Sequence, residues 1–357
     1  MYPARGHEGA VTSLVASHDS RWIVTASEDD TIIVWDTSSG ALLYEWLAHQ
    51  REVHSLAFSP DSRRLVSAGR HPTVVVWAIN DGVQKVATLE GYTKSVMACA
   101  WSSDGALIGS ASEDRTVRIW DGHTFQQRNL FFDPTRARYR TLRFSPDSRY
   151  LAWISGNNCR LWRPLTRESP KELRSHPQDL RETWTSTLAF DPESRRIVTA
   201  HGIPLDGEES ESGAFVVRVW DVATGAAMVA LAEHSRLVTD ISFSPDGRSL
   251  LSAWGDGSAR MWDAESGGQT ALFRDAEDEP TILRACFSPD GKYIATWTPE
   301  SIAGQVRLWR VDDGACAAIV VERAISVTHI LFTPCGEFLA SADFRGTAHT
   351  HPLTKFV

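Results

Sequence analysis

Apolar residues recur along this chain in short runs that never reach helical length. From Gly6 to Asp36 it reads GHEGAVTSLVASHDSRWIVTASEDDTIIVWD. Related stretches follow as VHSLAFSPDSRRLVSAGRHPTVVVW, VMACAWSSDGALIGSASEDRTVRIWD and VTDISFSPDGRSLLSAWGDGSARMWD. Each holds three runs rich in Val, Ile, Leu, Phe and Trp, separated by turn formers, which predicts adjacent antiparallel strands. The first turn is of a Ser-Pro-Asp-Gly kind, at Ser59 to Ser62, Ser145 to Ser148, Ser244 to Gly247 and Ser288 to Gly291. Variants stand at Ser102 to Gly105, Asp191 to Ser194 and Thr333 to Gly336. Proline presets φ at the first corner, while Asp and Gly accept the second.

Seven tryptophans hold this pattern in register: Trp35, Trp77, Trp120, Trp162, Trp220, Trp262 and Trp309. The steps between them are 42, 43, 42, 58, 42 and 47 residues, and a further step of 42 lands on His351. His351 lies in GTAHTHPL, which otherwise fits the same template. A period of about 40 to 45 with a terminal Trp-Asp marks four-stranded propeller blades.

These residues resemble the WD-repeat family over essentially the whole chain, from Gly6 to His351. The resemblance implies that in each blade a His, a Ser or Thr, an Asp and the Trp hydrogen-bond together and pin the strands. The set is complete in unit 1, as His7, Thr25 or Ser27, Asp29 and Trp35, and in unit 6, as His234, Ser252, Asp256 and Trp262. Unit 3 has Tyr92 for the His but keeps Ser110 or Ser112, Asp114 and Trp120. Unit 2 keeps His49, Ser67 and Trp77 but has His71 in the Asp position, and units 4, 7 and 8 lack most of the set.

The count of units predicts an all-β fold, a single β-propeller of eight four-stranded blades spanning residues 1–357. A seven-bladed ring with one unit displaced is the alternative. After His351 six residues remain, too few for a turn and a fourth strand, whereas Met1 to Arg5 fall where Leu43 to Leu47 fall in the first repeat. The N-terminal segment is therefore expected to close the last blade, and Pro3 is tolerable on an outermost strand. Roughly 150 residues per domain would suggest two domains. The repeat overrides this, because one unit cannot bury its own apolar face.

The other tryptophans (22, 46, 101, 153, 184, 254 and 297) fall in or beside predicted strands, so packing between blades is their expected role. Five cysteines show no CxxC spacing, and Cys99 and Cys286 sit on first strands, where burial is expected. Reduced thiols, no signal peptide and no apolar run of 18 residues fit a cytosolic or nuclear chain. Net charge −9 argues against nonspecific nucleic-acid binding.

The sequence contains no phosphate-binding GxxxxGKS or GxxxxGKT, no GxSxG, no HExxH and no EF-hand loop. His349 and His351 share one strand face, but no third metal ligand is evident. No enzyme, cofactor or metal is expected, and the chain is expected to be monomeric by itself. What remains is binding. The resemblance implies a contact face built from the fourth-to-first and second-to-third strand connections. Residues just before the first strands include Ala10, Glu52, Ser95, Arg138, Trp184 and Leu237, and Glu28, Arg70, Glu113 and Gly255 stand before the second turn's Asp position. Arg136 adds to Arg138 in TRARYRTLR, where alternation puts Arg136, Arg138 and Arg140 on one side. Protein or peptide partners are the first expectation, with a small-molecule or glycan ligand as the alternative. Two insertions lengthen the fifth unit, one of them the acidic HGIPLDGEESESGAF on the same face, a candidate flap over it.

Overall fold

The computed structural model describes residues 6–134, 139–155, 158–173, 184–203, 214–234, 238–274, 284–298, 304–324 and 327–355. Apart from a 3-10 turn at Leu353–Lys355, every described element is a β-strand. The strands form eight antiparallel sheets, seven of four strands and one of three described strands. This is an all-β, eight-bladed propeller, and the seven-bladed alternative falls. The expected closure by Met1 to Arg5 lies outside the described residues.

By contact the chain divides into two compact units, Met1–Phe144 with Pro164–Arg167 and Ile325–Val357, and Ser145–Arg163 with Glu168–Ala324. In the first unit, blade 1 is β1 (Val11–Ala16), β2 (Trp22–Ser27), β3 (Thr31–Asp36) and β4 (Leu42–Leu47). Blade 2 is β5 (Val53–Phe58), β6 (Arg64–Gly69), β7 (His71–Ile79) and β8 (Val83–Leu89). Blade 3 is β9 (Val96–Trp101), β10 (Leu107–Ser112), β11 (Thr116–Asp121) and β12 (Gln127–Phe132). Blade 8 contributes Val327–Phe332, Phe338–Asp343 and Ala348–Pro352. The second unit holds blades 5, 6 and 7, whose tryptophan strands are Ala214–Asp221, Ala259–Asp263 and Gly304–Arg310.

Strand position within a blade sets the burial pattern. The second strand is covered on both faces, so all six residues of β2 are buried. The outer strand β4 alternates half-buried and exposed positions, as an edge should. Six of the seven repeat tryptophans pack in the seam with the preceding blade. Trp77 joins Val24, Ile32 and Val34 of blade 1, and Trp120 joins Val66 and Val76 of blade 2. Trp35 joins Ala340 and Ala342 of blade 8, and Trp262 joins Val217 and Val219 of blade 5. All seven are at most 7% exposed.

The first turns that end in serine carry more than a bend. Ser20, Ser62, Ser148 and Ser194 adopt positive φ near 60°, where Gly stands in other blades. A side chain is disfavoured there, and the serine hydroxyl offsets this across the seam. Ser62 Oγ accepts from the Asp19 amide at 3.0 Å, Ser194 Oγ from Asp147 at 2.9 Å, and Ser20 Oγ from Cys335 at 2.9 Å.

Cys99 is buried as expected, but Cys286 is only half-buried. The two stand one residue apart in strand register. Ala285, not Cys286, takes the seam-facing position on its strand, and a shift of one residue turns a side chain to the other face.

Candidate functional site

Two sets of residues were singled out by sequence, one pinning blades and one on the candidate contact face. In blade 1 the first set forms a directed chain of hydrogen bonds. Trp35 Nε1 donates to Thr25 Oγ1 at 2.9 Å, and Thr25 Oγ1 lies 2.7 Å from His7 Nε2. On the other ring edge, His7 Nδ1 lies 2.7 Å from Thr31 Oγ1, which donates to Asp29 Oδ1 at 2.6 Å. The tautomer that satisfies every member carries its proton on Nδ1. Asp29 also accepts from the Glu8 and Thr31 amides, and these bonds lower its carboxyl pKa against the opposing effect of burial. Thr25 rather than Ser27 is the hydroxyl in the chain, and Ser27 Oγ accepts from the Asp29 amide at 3.1 Å.

Blade 3 reaches the same end by other means. Trp120 Nε1 donates to both Ser110 Oγ and Tyr92 Oη at 3.0 Å, and the two hydroxyls bond each other. Asp114 accepts from the Thr93 amide at 3.1 Å and from Thr116 Oγ1 at 2.6 Å. In blade 6, Ser252 Oγ accepts from Trp262 Nε1 at 2.8 Å and from Trp254 Nε1 at 2.7 Å. Asp256 there binds Ser258 Oγ at 2.5 Å and Arg260 Nη2 at 2.6 Å, while the His234 side chain lies outside the described set. Blades 5 and 7 keep a hydroxyl–indole pair, Thr199 with Trp220 and Thr296 with Trp309, both 2.8 Å. In blade 8, His351 stands in the tryptophan's place and its Nε2 meets Ser341 Oγ at 3.2 Å.

The second set shares one backbone frame in the first three blades. The amides of Glu28, Arg70 and Glu113 donate to the carbonyls of Ala10, Glu52 and Ser95 at 3.1, 2.8 and 2.9 Å. Their side chains stand exposed at equivalent positions, Glu in blades 1 and 3 and Arg in blade 2, while the accepting residues Ala10, Glu52 and Ser95 differ in all three. Arg70 Nη1 donates to Glu52 Oε1 at 2.7 Å, and the other Glu52 oxygen lies 3.6 Å from His54 Nε2. Burial lowers the His54 pKa most. Glu52, Glu28 and Glu113 pull it up and Arg70 pushes it down, so all five groups share one electrostatic neighbourhood. A partner's charged group can exchange into such an ion pair without covalent change.

His54 was not foreseen, although it stands two residues after Glu52 on β5. Phe344 was also missed. It occupies in blade 8 the turn position held by Glu28 and Glu113, and it is 61% exposed. Trp184 opens the strand Trp184–Phe190, with a side chain outside the described set. Arg136, Arg138 and Leu237, like residues 204–213 of the acidic insertion, lie outside the described residues.

The repeats can now be set beside known proteins. The WD domain, G-beta repeat, family matches residues 2–36, 40–78, 83–121 and 227–263. These are the stretches of blades 1, 2, 3 and 6, where the pinning residues are fullest in sequence. The chain carries WD repeats. Over 95% of its length it is 23% identical to Autophagy-related protein 16 of Arabidopsis thaliana, of which it covers 55%. Over 59% it is 29% identical to Pre-mRNA-processing factor 19 homolog 2 of Arabidopsis thaliana, covering 37% of that protein. Over 81% it is 25% identical to Periodic tryptophan protein 2 of the same plant, covering 28% of it. The propeller thus spans about half, or less, of the length of these curated relatives.

One further concavity of this WD-repeat chain is a groove of about 730 Å³ at the turns of blades 1 and 2. Asp19, Asp61 and Asp81 line it together with Arg21, Arg63 and Arg64, so its charges balance. Among the described residues, no group of three or more His, Cys, Asp or Glu side chains is placed to hold a metal ion. No described helix is long and apolar enough to cross a membrane.

Proposed function

We propose that the chain, acting as one domain over residues 1–357, is a noncatalytic WD-repeat scaffold or adaptor. It binds protein or peptide partners on the face that carries Glu28, Glu52, Arg70 and Glu113, at the entrance of the central channel. The observation that supports this reading is the common backbone frame that carries Ala10 with Glu28, Glu52 with Arg70 and Ser95 with Glu113, a different pair in each blade. A repeated small-ligand pocket would place the same groups in each blade, whereas peptide recognition uses a varied surface that includes Arg and aromatic anchors. Arg136, Arg138, Trp184 and Leu237 belong to the same proposed surface.

The other reading, a small-molecule or glycan-binding propeller, is favoured by the groove between blades 1 and 2. Its volume falls in the range of ligand sites, but its charged lining departs from their mostly apolar character. Affinity capture from lysate with the purified chain, run with and without a panel of free sugars and with a Glu52→Ala/Arg70→Ala chain in parallel, separates the two. The scaffold reading expects protein partners that survive the sugars and are lost from the double variant. Release by a sugar, with the double variant unaffected, contradicts it.

A further inference from the structure

In two blades of the first unit a histidine bonds a strand hydroxyl and has basic residues for its charged neighbours. In blade 2, Trp77 Nε1 donates to Ser67 Oγ at 2.8 Å, and Ser67 Oγ lies 2.8 Å from His49 Nε2. His49 is buried, and where blades 1 and 3 place Asp29 and Asp114, blade 2 places His71, ring centroids 6.4 Å apart. The groups that face the His49 ring from the packed elements are Ser67 on β6, His71 on β7 and Lys85 on β8. The ionisable ones among them, His71 and Lys85, both oppose a charge on His49. Blade 8 repeats the arrangement. His351 meets Ser341, its ring lies 6.3 Å from His349, and its charged neighbours are His349 and Lys355. Burial first, and then repulsion between these basic groups, hold both imidazoles down at about 4.

The sister blades serve as internal controls. Burial lowers the His7 pKa in blade 1 too, but there Asp29 Oδ1 at 3.4 Å opposes the shift and can receive the charge. Blade 3 carries Tyr92, whose hydroxyl burial moves further from titration.

We propose that blades 2 and 8 form an acid-sensitive joint: protonation of His49 and His351 places an uncompensated charge in each blade, opens it, and in blade 2 releases the Glu52–Arg70 junction from the contact face. Folding then favours the neutral imidazoles. Their contribution is complete above the unfolded value of about 6.5 and declines as pH falls toward about 4. Each site shifts the folding equilibrium by about tenfold per pH unit within that window, and the two together by about a hundredfold. Asp36, Asp246 and Asp290, held below the carboxylate range by their turns, act in the opposite part of the scale, as pH falls through 3.8 and below.

The test is denaturant unfolding of the full chain between pH 7.5 and 5, comparing the natural sequence with His49→Tyr/His351→Trp and with His71→Asp. The double variant borrows the residues that blade 3 and the other repeats use. Below pH 6, His49 and His351 should contribute a loss of stability of up to about a hundredfold per pH unit, and the double variant, which keeps His7 and His54 with their own lowered values, should show a slope reduced by that amount. His71→Asp should raise the His49 titration midpoint, read by NMR of the ring. Superimposable pH profiles of the natural chain and double variant overturn the proposal. So does a His49 ring in the natural chain that titrates near 6.5, a measurement that stands even if a variant fails to fold.

Discussion

Replacing Trp120 by alanine probes the seam that every blade depends on. The side chain is 5% exposed and packs between its own strand and Val66, Val76 and Leu89 of blade 2. A buried tryptophan removes about 150–250 Å² from water, which at about 25 cal/mol per Å² amounts to about 4–6 kcal/mol. Alanine retains a small part of that area, so a loss of about 3–5 kcal/mol is expected. The indole N–H donates to Tyr92 and Ser110, yet those hydroxyls also bond each other, so its removal orphans neither. Trp120→Phe should therefore cost about 1–2 kcal/mol, the worth of the lost bonds with the ring mostly retained. Equilibrium urea unfolding of both variants gives the two values. An alanine variant within about 1 kcal/mol of the natural chain would refute the seam assignment. Equal costs for Phe and Ala would show that the hydrogen bonds, and not packing, hold the blade.

Three further outcomes are expected. Ser252→Ala leaves two buried indole N–H groups, of Trp254 and Trp262, without that acceptor and should cost about 1–3 kcal/mol in the same unfolding assay. Trp46→Phe should be neutral or slightly stabilising, because the Trp46 Nε1 is buried without a partner while its ring still abuts Trp77 at 5.4 Å. Deleting Met1 to Arg5 should lower the Tm, since the expected closure would leave the edge of blade 8 bare; an unchanged Tm counts against that closure.

Much of the fold was readable because propeller blades repeat one local pattern. Seven tryptophans and the Ser-Pro-Asp turns fix strand order and direction, and the count to His351 separates eight blades from seven. Within a blade the pattern left Thr25 against Ser27 and Ser110 against Ser112. The structure resolves both by register, since Ile23 faces Trp35 and Ile108 faces Trp120, two residues before the hydroxyl that receives the indole. Contacts between blades were not readable. Nothing in the sequence couples Arg64 to the Gly122 carbonyl and the Phe125 ring, or Arg196 to Gly247 and Phe243, because these bonds depend on how one blade is set against the next. The contact face was legible as positions and not as contacts. Alignment marked Glu28, Arg70 and Glu113, but the Arg70–Glu52 pair and the place of His54 beside it needed coordinates.

Site-specific photo-crosslinking tests the central claim most directly, that partners dock on the face of Glu28, Glu52, Arg70 and Glu113. A photoreactive residue is placed at Glu113 on that face or at Asp81 beside the groove, both exposed, and each chain is incubated with the proteins recovered by capture. The account predicts crosslinks from position 113, abolished by Glu52→Ala/Arg70→Ala, and none from position 81. Crosslinks from position 81 alone would contradict it.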